Sequence, residues 1–460
     1  MEIRLYKVIG RVYYMKLTRS GCIVPDNSAI KKELTVRPII NGDFGAAPPS
    51  FKVFRKAKSG LCVPRYYAEA KLEGIIEDIR PEPNKIKISF HGKLRDETYQ
   101  NEAMARAIKA GHGILSLPCG FGKTTVSLAI ACKLGYRTMI IVHKEFLANQ
   151  WKERIKQFCP HASIGIVQQN KKEVDCDFII AMLQSLSLKE YSFGDFDSIG
   201  TVIVDEAHHI CAKVFSQSLF KLCPKHIFGL SATPNRKDGL TKVLNWFIGP
   251  TFFSIERENQ EHVNVYPIEF TCDRYEDPPP CTRYGKLSLP TMITEVTEIP
   301  DRNSLILATL RDLLKTTRQI LVLSDRRFHC EYLHQKFREM SGLYMGGMKE
   351  DALLESSKKR IIFATFSQAH EGLDIPSLDT VILATPKSDI VQSIGRVMRE
   401  THGKKNDPHI YDIVDKWSVF FAMYNKRCKV YRQGGFNIHN QNTEEMRLGD
   451  FSIGKCLIHI

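Results

Sequence analysis

The segment Leu115-Ser-Leu-Pro118-Cys119-Gly120-Phe121-Gly122-Lys123-Thr124-Thr125 sets a glycine-rich turn between an apolar run and a helix-like run. Gly120 and Gly122 can take backbone angles closed to other residues, so that successive N–H groups point at one anion. A helix starting just beyond the turn adds positive potential at the same spot. The Lys123 ammonium can then reach the β- and γ-phosphates of a nucleotide, and the Thr124 hydroxyl can ligate Mg²⁺. Pro118, Cys119, Phe121 and Thr125 complete this candidate phosphate-binding loop. Eighty-two residues after Lys123, the apolar run Thr201–Val204 ends abruptly in Asp205 and Glu206. Asp205 is placed to hold Mg²⁺ through water, and Glu206 to orient or deprotonate an attacking water. Either motif alone also suits an ordinary turn or loop start. In this order they describe hydrolysis of a nucleotide.

The elements that must carry these residues are short and regular. Gly113–Leu117, Met139–Val142, Phe178–Ala181, Thr201–Val204 and Ile227–Leu230 read as buried strands. Thr124–Leu134 and Glu145–Phe158 read as helices, the second with Leu147, Trp151, Ile155 and Phe158 at helical spacing. Strands recur at Gln319–Leu323, Arg360–Ala364, Thr380–Ala384 and His409–Val414. Such alternation predicts mostly parallel sheets covered by helices, an α/β fold. Residues 255–300, with Pro278–Pro280, break the rhythm and read as a linker holding one strand at Val263–Phe270. Residues 1–93 show short runs at Val53-Phe54, Ile75-Ile76 and Ile86–Ile88 between Pro and Gly turns, a small β-containing domain. The expected order is therefore a domain over 1–93, an α/β unit over 94–254, the linker 255–300 and a second α/β unit over 301–460.

Charge narrows the partners. The 460 residues carry 65 Lys and Arg against 51 Asp and Glu, a net charge of +14. Residues 1–93 hold 18 of the basic and only 9 of the acidic side chains, so the excess is concentrated there. A polyanion is the natural partner of such a region, because neutralised phosphates release counterions. Thirteen cysteines without a C-x-x-C pair disfavour structural zinc and a disulfide framework and fit a reducing compartment. No long charge-free apolar run occurs, and charges interrupt the first residues. A soluble, intracellular protein that avoids membranes is expected.

Four motifs stand in order over nearly 300 residues: Gly120-Phe-Gly-Lys-Thr124, Asp205-Glu-Ala-His208, Ser231-Ala-Thr233 and Gln392-Ser-Ile-Gly-Arg396-Val-Met-Arg399. They resemble the motif set of superfamily 2 DEAH-type helicases. Ser231–Gly239 and Leu323–Arg326 are most similar to the XPB-like branch, and the segment Leu61–Tyr67 to transcript-release helicases of large DNA viruses. The resemblance implies two tandem RecA-like domains and hydrolysis of ATP with Mg²⁺. It implies Lys123, Asp205, Glu206, Arg396 and Arg399 as catalytic, the two arginines stabilising charge on the γ-phosphate. Gln100 is implied as the residue reading adenine, and Asp374 as a further nucleotide contact. His208, Ser231, Thr233 and Gln392 would couple hydrolysis to domain movement. His143, Lys144, Gln184, Arg326 and Thr365 would hold a nucleic-acid backbone, as polar loop groups do without reading sequence. Tyr66 and Tyr67, beside Arg65, are candidates for base stacking.

DNA, single-stranded or duplex, is the partner implied by the XPB-like resemblance, and the chain is expected to act as a monomer. RNA or an RNA polymerase stands as the alternative partner, with the motor then remodelling a complex without parting strands. A restriction-system motor subunit would need a nuclease pattern that the sequence lacks. A metabolic kinase leaves the second α/β unit unexplained. His208 and His209 have no cysteine or histidine at ligand spacing, so zinc is not expected there.

Overall fold

The computed structural model describes residues 13–39, 48–118, 121–192, 194–211, 213–232, 238–255, 262–371, 373, 375–395 and 406–439. They form two compact units, Met1–Glu256 and Arg257–Ile460.

The described residues of the first unit form two main sheets and a two-stranded pair, Thr35–Val36 with Phe51–Lys52. In the smaller main sheet, Tyr13–Thr18 pairs antiparallel with Gly21–Val24 and parallel with Gly74–Asp78. Gly60–Val63 and Arg55–Ala57 extend the antiparallel side. Met15 and Leu17 face inward and are buried, while Tyr14 and Lys16, which alternate with them, are exposed, as a period of two requires. The inward face has no core of its own. Met15, Leu17, Val63 and Tyr67 join one apolar cluster with Val202, Leu244 and Trp246 of the larger sheet's layer. Tyr67 meets the Trp246 ring edge-on at 5.5 Å, and its hydroxyl donates to Glu33. Tyr66 is buried as well, stacked on His112 at 4.1 Å. Neither tyrosine can stack on a base from such a position, which corrects the expectation for this pair.

Ile86–Ile88 is not a strand. Only Lys85 makes a β-bridge, to Tyr136, and the extended segment is strapped to the unit through backbone bonds from Ile86 to Gly135 and from His91 to Phe158. Ile88 and Phe90 then cover apolar surface beside the helix Glu145–Phe158.

The larger sheet runs Lys171–Lys172, Ile164–Gln168, Phe178–Met182, Thr138–Val142, Thr201–Val204, His226–Ser231, His112–Ser116, Thr251–Ser254. All pairs except the first are parallel. Every residue of Thr138–Val142, Phe178–Met182 and Thr201–Val204 is buried, because helices or the small sheet cover both faces. The helices Gln100–Ala110, Lys123–Leu134 and Glu145–Phe158 pack on one face.

The second unit is a seven-stranded sheet in the order Ser341–Tyr344, Ile361–Thr365, Ile320–Ser324, Thr380–Leu383, His409–Asp415, Asn264–Phe270, Asn437–Ile438. The stretch read as a linker holds more than a connector. Asn264–Phe270 pairs along its whole length with His409–Asp415, and the helix Leu289–Glu298 packs with Trp417 and Phe420 in a small apolar cluster. Among the described residues, no helix is long and apolar enough to cross a membrane.

Candidate functional site

The helix Lys123–Leu134 starts directly after the glycine-rich turn, so Lys123 is its first residue. Gly122 caps it in the left-handed region at φ 79, and a Cβ there would lie 2.6 Å from the Gln100 side-chain nitrogen. Glycine is thus required at 122 for conformation and for space. Gln100 is buried, its Nε2 donating to the Phe121 carbonyl at 2.8 Å and its Oε1 accepting from the Arg95 N–H at 3.0 Å. One amide hydrogen and one lone pair remain for a base edge. Gln100 therefore ties the Arg95 backbone to the backbone of the phosphate loop. Lys123 Nζ donates to the Leu117 carbonyl at 3.3 Å. Thr124 and Thr125 are half-buried in the first helical turn. Cys119 and Gly120 lie outside the described residues.

Thr201–Val204 runs between Thr138–Val142 and His226–Ser231 and delivers both carboxylates at its carboxyl end. Asp205 Oδ2 accepts from the Trp151 indole N–H at 2.9 Å, and Oδ1 accepts from the Glu206 N–H at 3.0 Å. Burial first, and the Glu206 charge second, push the Asp205 carboxyl up to about 6. The Trp151 bond and the Lys123 charge oppose that rise. Glu206 sits at φ 46, a left-handed conformation that a non-glycine residue keeps only where its surroundings hold it. Its Oε2 is buried without a hydrogen-bond partner and lies 3.4 Å from His208 Nδ1. A pair of adjacent carboxylates, one with a buried oxygen that lacks a donor, suits a hard divalent cation. Among the described residues no cluster of three or more His, Cys, Asp or Glu could hold a metal alone. Further ligands such as the Thr124 hydroxyl, phosphate oxygens and water would complete the shell, which is how Mg²⁺ binds in nucleotide sites.

Around Glu206 the imidazoles meet at tilted angles. His208 lies 4.4 Å from His209, and His209 lies 4.0 Å from His143. His143 is buried, and burial with the neighbouring His209 lowers it to about 3, so it stays neutral. The ring packs inward, so its side chain does not reach solvent to meet a phosphate. That corrects its expected place among nucleic-acid contacts. The His143 carbonyl instead accepts from the exposed Gln184 side chain at 2.6 Å, joining the turn after Thr138–Val142 to the helix Leu183–Leu188. Burial lowers the Lys144 ammonium beside them. Ser231 ends its strand fully buried. Thr233 lies outside the described residues.

In the second unit Arg326 is committed elsewhere. Its guanidinium donates to Thr294 Oγ1 at 2.9 Å and to the Pro290 and Asp325 carbonyls. It holds a helix start and is not presented to a ligand. Thr365 pairs with Ser367 at 3.2 Å. Gln392 lies on the short helix Val391–Ile394, its side chain outside the described residues, as are Asp374, Arg396 and Arg399.

The family described as "Type III restriction enzyme, res subunit" matches residues 93–236, and the helicase conserved C-terminal domain matches residues 301–401. A protein of Acanthamoeba polyphaga mimivirus, named as an ATP-dependent RNA helicase, is 32% identical over 464 residues. The match covers 94% of this chain and 87% of that protein. The chain belongs to the superfamily 2 helicases of large DNA viruses. A helicase of Invertebrate iridescent virus 6 is 28% identical over 450 residues, covering 90% of this chain and 97% of its own. The solved structure of Saccharomyces cerevisiae Dbp5 with RNA and ADP BeF3 aligns with a TM-score of 0.52 at 12% identity, over 74% of this chain and 88% of that one. That last likeness supports the fold, two RecA-like domains. The helicase is an ATP-dependent enzyme, and its family uses ATP with Mg²⁺.

One residue of the helicase's site was hidden in plain sequence. Trp151 reads as part of an apolar stripe, yet its N–H is the donor that holds Asp205. The signal was there, since a buried indole needs an acceptor and a carboxylate at a strand end is the nearest candidate. The raised Asp205 carboxyl also carries a stability consequence. A carboxyl whose folded pKa lies above its unfolded value binds protons more tightly when folded, so its contribution weakens as pH rises between 3.8 and about 6. Without Mg²⁺, Asp205→Asn is expected to lack that slope. The melting temperature of the variant minus that of the parent should grow as pH rises through this window, read by thermal unfolding. A difference that is flat or falls with pH would contradict the assignment.

Proposed function

We propose that this helicase is a DNA translocase, hydrolysing ATP to move along a strand during viral transcription or repair. The observation that carries the reading is the gathering of Lys123, Asp205 and Glu206 at the carboxyl edge of one parallel sheet, where the Lys123 charge is felt by Asp205. Mg²⁺, when bound, would neutralise charge on the β- and γ-phosphates. Thr124 and Asp205 would hold it, the latter through water. Lys123 binds the same phosphates. Glu206, oriented by its own strained backbone and by His208, takes the proton of the attacking water. Arg396 and Arg399 keep the γ-phosphate role that their motif implies. Gln184, on the helix Leu183–Leu188, and Lys144, at the start of the helix Glu145–Phe158, are the group best placed to hold a nucleic-acid backbone.

DNA is favoured by the XPB-like stretches Ser231–Gly239 and Leu323–Arg326 and by the basic first 93 residues. RNA is the second reading, favoured by the names of relatives such as the mimivirus protein. Steady-state ATP hydrolysis with no nucleic acid, single-stranded DNA, duplex DNA and single-stranded RNA, at fixed salt, separates them. The expected result is strong stimulation by DNA and little by RNA. Equal or greater stimulation by RNA would replace the DNA reading with the RNA one.

A further inference from the structure

Tyr284 is 74% exposed, more than any other large apolar side chain among the described residues. It stands at the tip of a small hairpin. Cys281 and Leu287 form an antiparallel bridge, the Thr282 N–H donates to the Lys286 carbonyl, and the Gly285 N–H donates to the Thr282 carbonyl. Gly285 turns the tip at φ +72, and nothing lies within 4 Å of where its Cβ would be. The tip therefore stands clear of its own unit. The Arg283 guanidinium lies 4.7 Å from the Tyr284 ring centroid, and Lys286 is exposed two residues on. No acidic residue occurs within 281–287.

The base of the hairpin is rigid. Pro278–Pro280 stiffen the ascending strand, and the Ser288 N–H donates to the Pro280 carbonyl at 2.8 Å. Below them, the Tyr275 hydroxyl donates to the buried Asp415 at 2.6 Å, and its ring lies flat on Trp417 at 5.2 Å. A fixed stem thus carries an aromatic ring that buries nothing in the folded chain, flanked by two cations.

We propose that the tip Arg283–Lys286 is a contact for single-stranded nucleic acid, with Tyr284 stacking on an unpaired base and Arg283 and Lys286 holding the neighbouring phosphates. The inference rests on the reading of the chain as a nucleic-acid motor and deepens it by naming a contact in the second unit. A protein partner would call for further apolar side chains beside Tyr284, and the tip offers only cations. A duplex hides its base faces, so a single ring has nothing to stack on there. Either sugar leaves the base face open, so the contact serves DNA and RNA strands alike.

The test uses the full chain and fluorescein-labelled oligothymidylate and oligouridylate, followed by anisotropy. Tyr284→Ala is expected to weaken binding of the preferred oligonucleotide by roughly five- to a hundredfold, the range of one base stack. Tyr284→Trp should restore it, because only an aromatic face is needed. Replacing Arg283 and Lys286 with alanine together should reduce the slope of log affinity against log salt by about 1.4, two single-strand phosphates' worth. Unchanged melting temperatures are expected throughout, since the tip packs on nothing. If the parent binds an oligonucleotide and Tyr284→Ala binds it equally well, the tip inference is overturned while the motor reading stands. If the parent binds neither oligonucleotide and its ATPase answers to neither, the motor reading itself fails.

Discussion

Lys123→Ala is expected to reduce ATP turnover by about a hundred- to a thousandfold, with the folded state nearly unchanged. The size follows from removing one fixed charge where negative charge develops on transferring phosphate, a loss of the order seen for a single preorganised donor. The folding expectation follows from the residue's place. Lys123 opens a helix, where alanine is a good helix former, and its one described side-chain bond is the 3.3 Å contact to the Leu117 carbonyl. Losing it costs about 1 kcal/mol at most. Lys123→Arg is the informative companion, since it keeps the charge but changes the head group that must fit between phosphates. It should lie between the parent and alanine. Steady-state hydrolysis with thermal unfolding checks both halves. Full turnover by a well-folded Lys123→Ala protein would remove the phosphate site from this loop. Loss of turnover together with loss of the folded state would leave Lys123→Arg to decide, because that variant cannot fail for want of a cation.

The parts of this site that could be read from sequence are those fixed by local rules. A parallel strand covered on both faces must be a short, unbroken apolar run, and Thr201–Val204 is bounded by Gly200 and Asp205 in the structure as in the sequence. The helix over Glu145–Phe158 has the same bounds in both, because one apolar stripe and Phe158 at its end define it. What escaped depends on distant residues. The small N-terminal sheet reads as a domain because nothing in its sequence reveals that Tyr67 will meet Trp246, 179 positions away. The strand expected at Val263–Phe270 is present as Asn264–Phe270, although Pro267 argues against a strand interior; what escaped is that it joins the second sheet along its whole length. The structure resolves the conflict. The outer neighbour of this strand ends at Ile438, paired with Val265, so no ladder position is left waiting for the N–H that proline lacks. His143 escaped for a different reason. Its place after a strand suggested solvent, and only the fold shows that His209 roofs it.

The second large effect belongs to stability. Arg302 and Asp415 are both fully buried, joined by two hydrogen bonds of 2.7 and 2.8 Å. The third arm of Arg302 donates to the Ala384 carbonyl at 2.9 Å, and Tyr275 adds a donor to Asp415. Asp415→Ala leaves a guanidinium buried without its countercharge, a loss of about 3–5 kcal/mol. Arg302→Met should cost a similar amount by stranding the carboxylate. The double variant Arg302→Met with Asp415→Leu should be markedly more stable than either single one, because both desolvation penalties vanish together. Denaturant unfolding, following the transition of the second unit, reads all three. Single variants that lose under about 1 kcal/mol would mean that the pair is solvated enough to be dispensable. The expected damage extends beyond stability. Asp415 is also the acceptor that fixes Tyr275 at the foot of the hairpin carrying Tyr284. Under native conditions Asp415→Ala should therefore weaken single-strand binding even where the unit remains folded, whereas the apolar double variant, which also lacks the Tyr275 acceptor, should recover stability without recovering that binding.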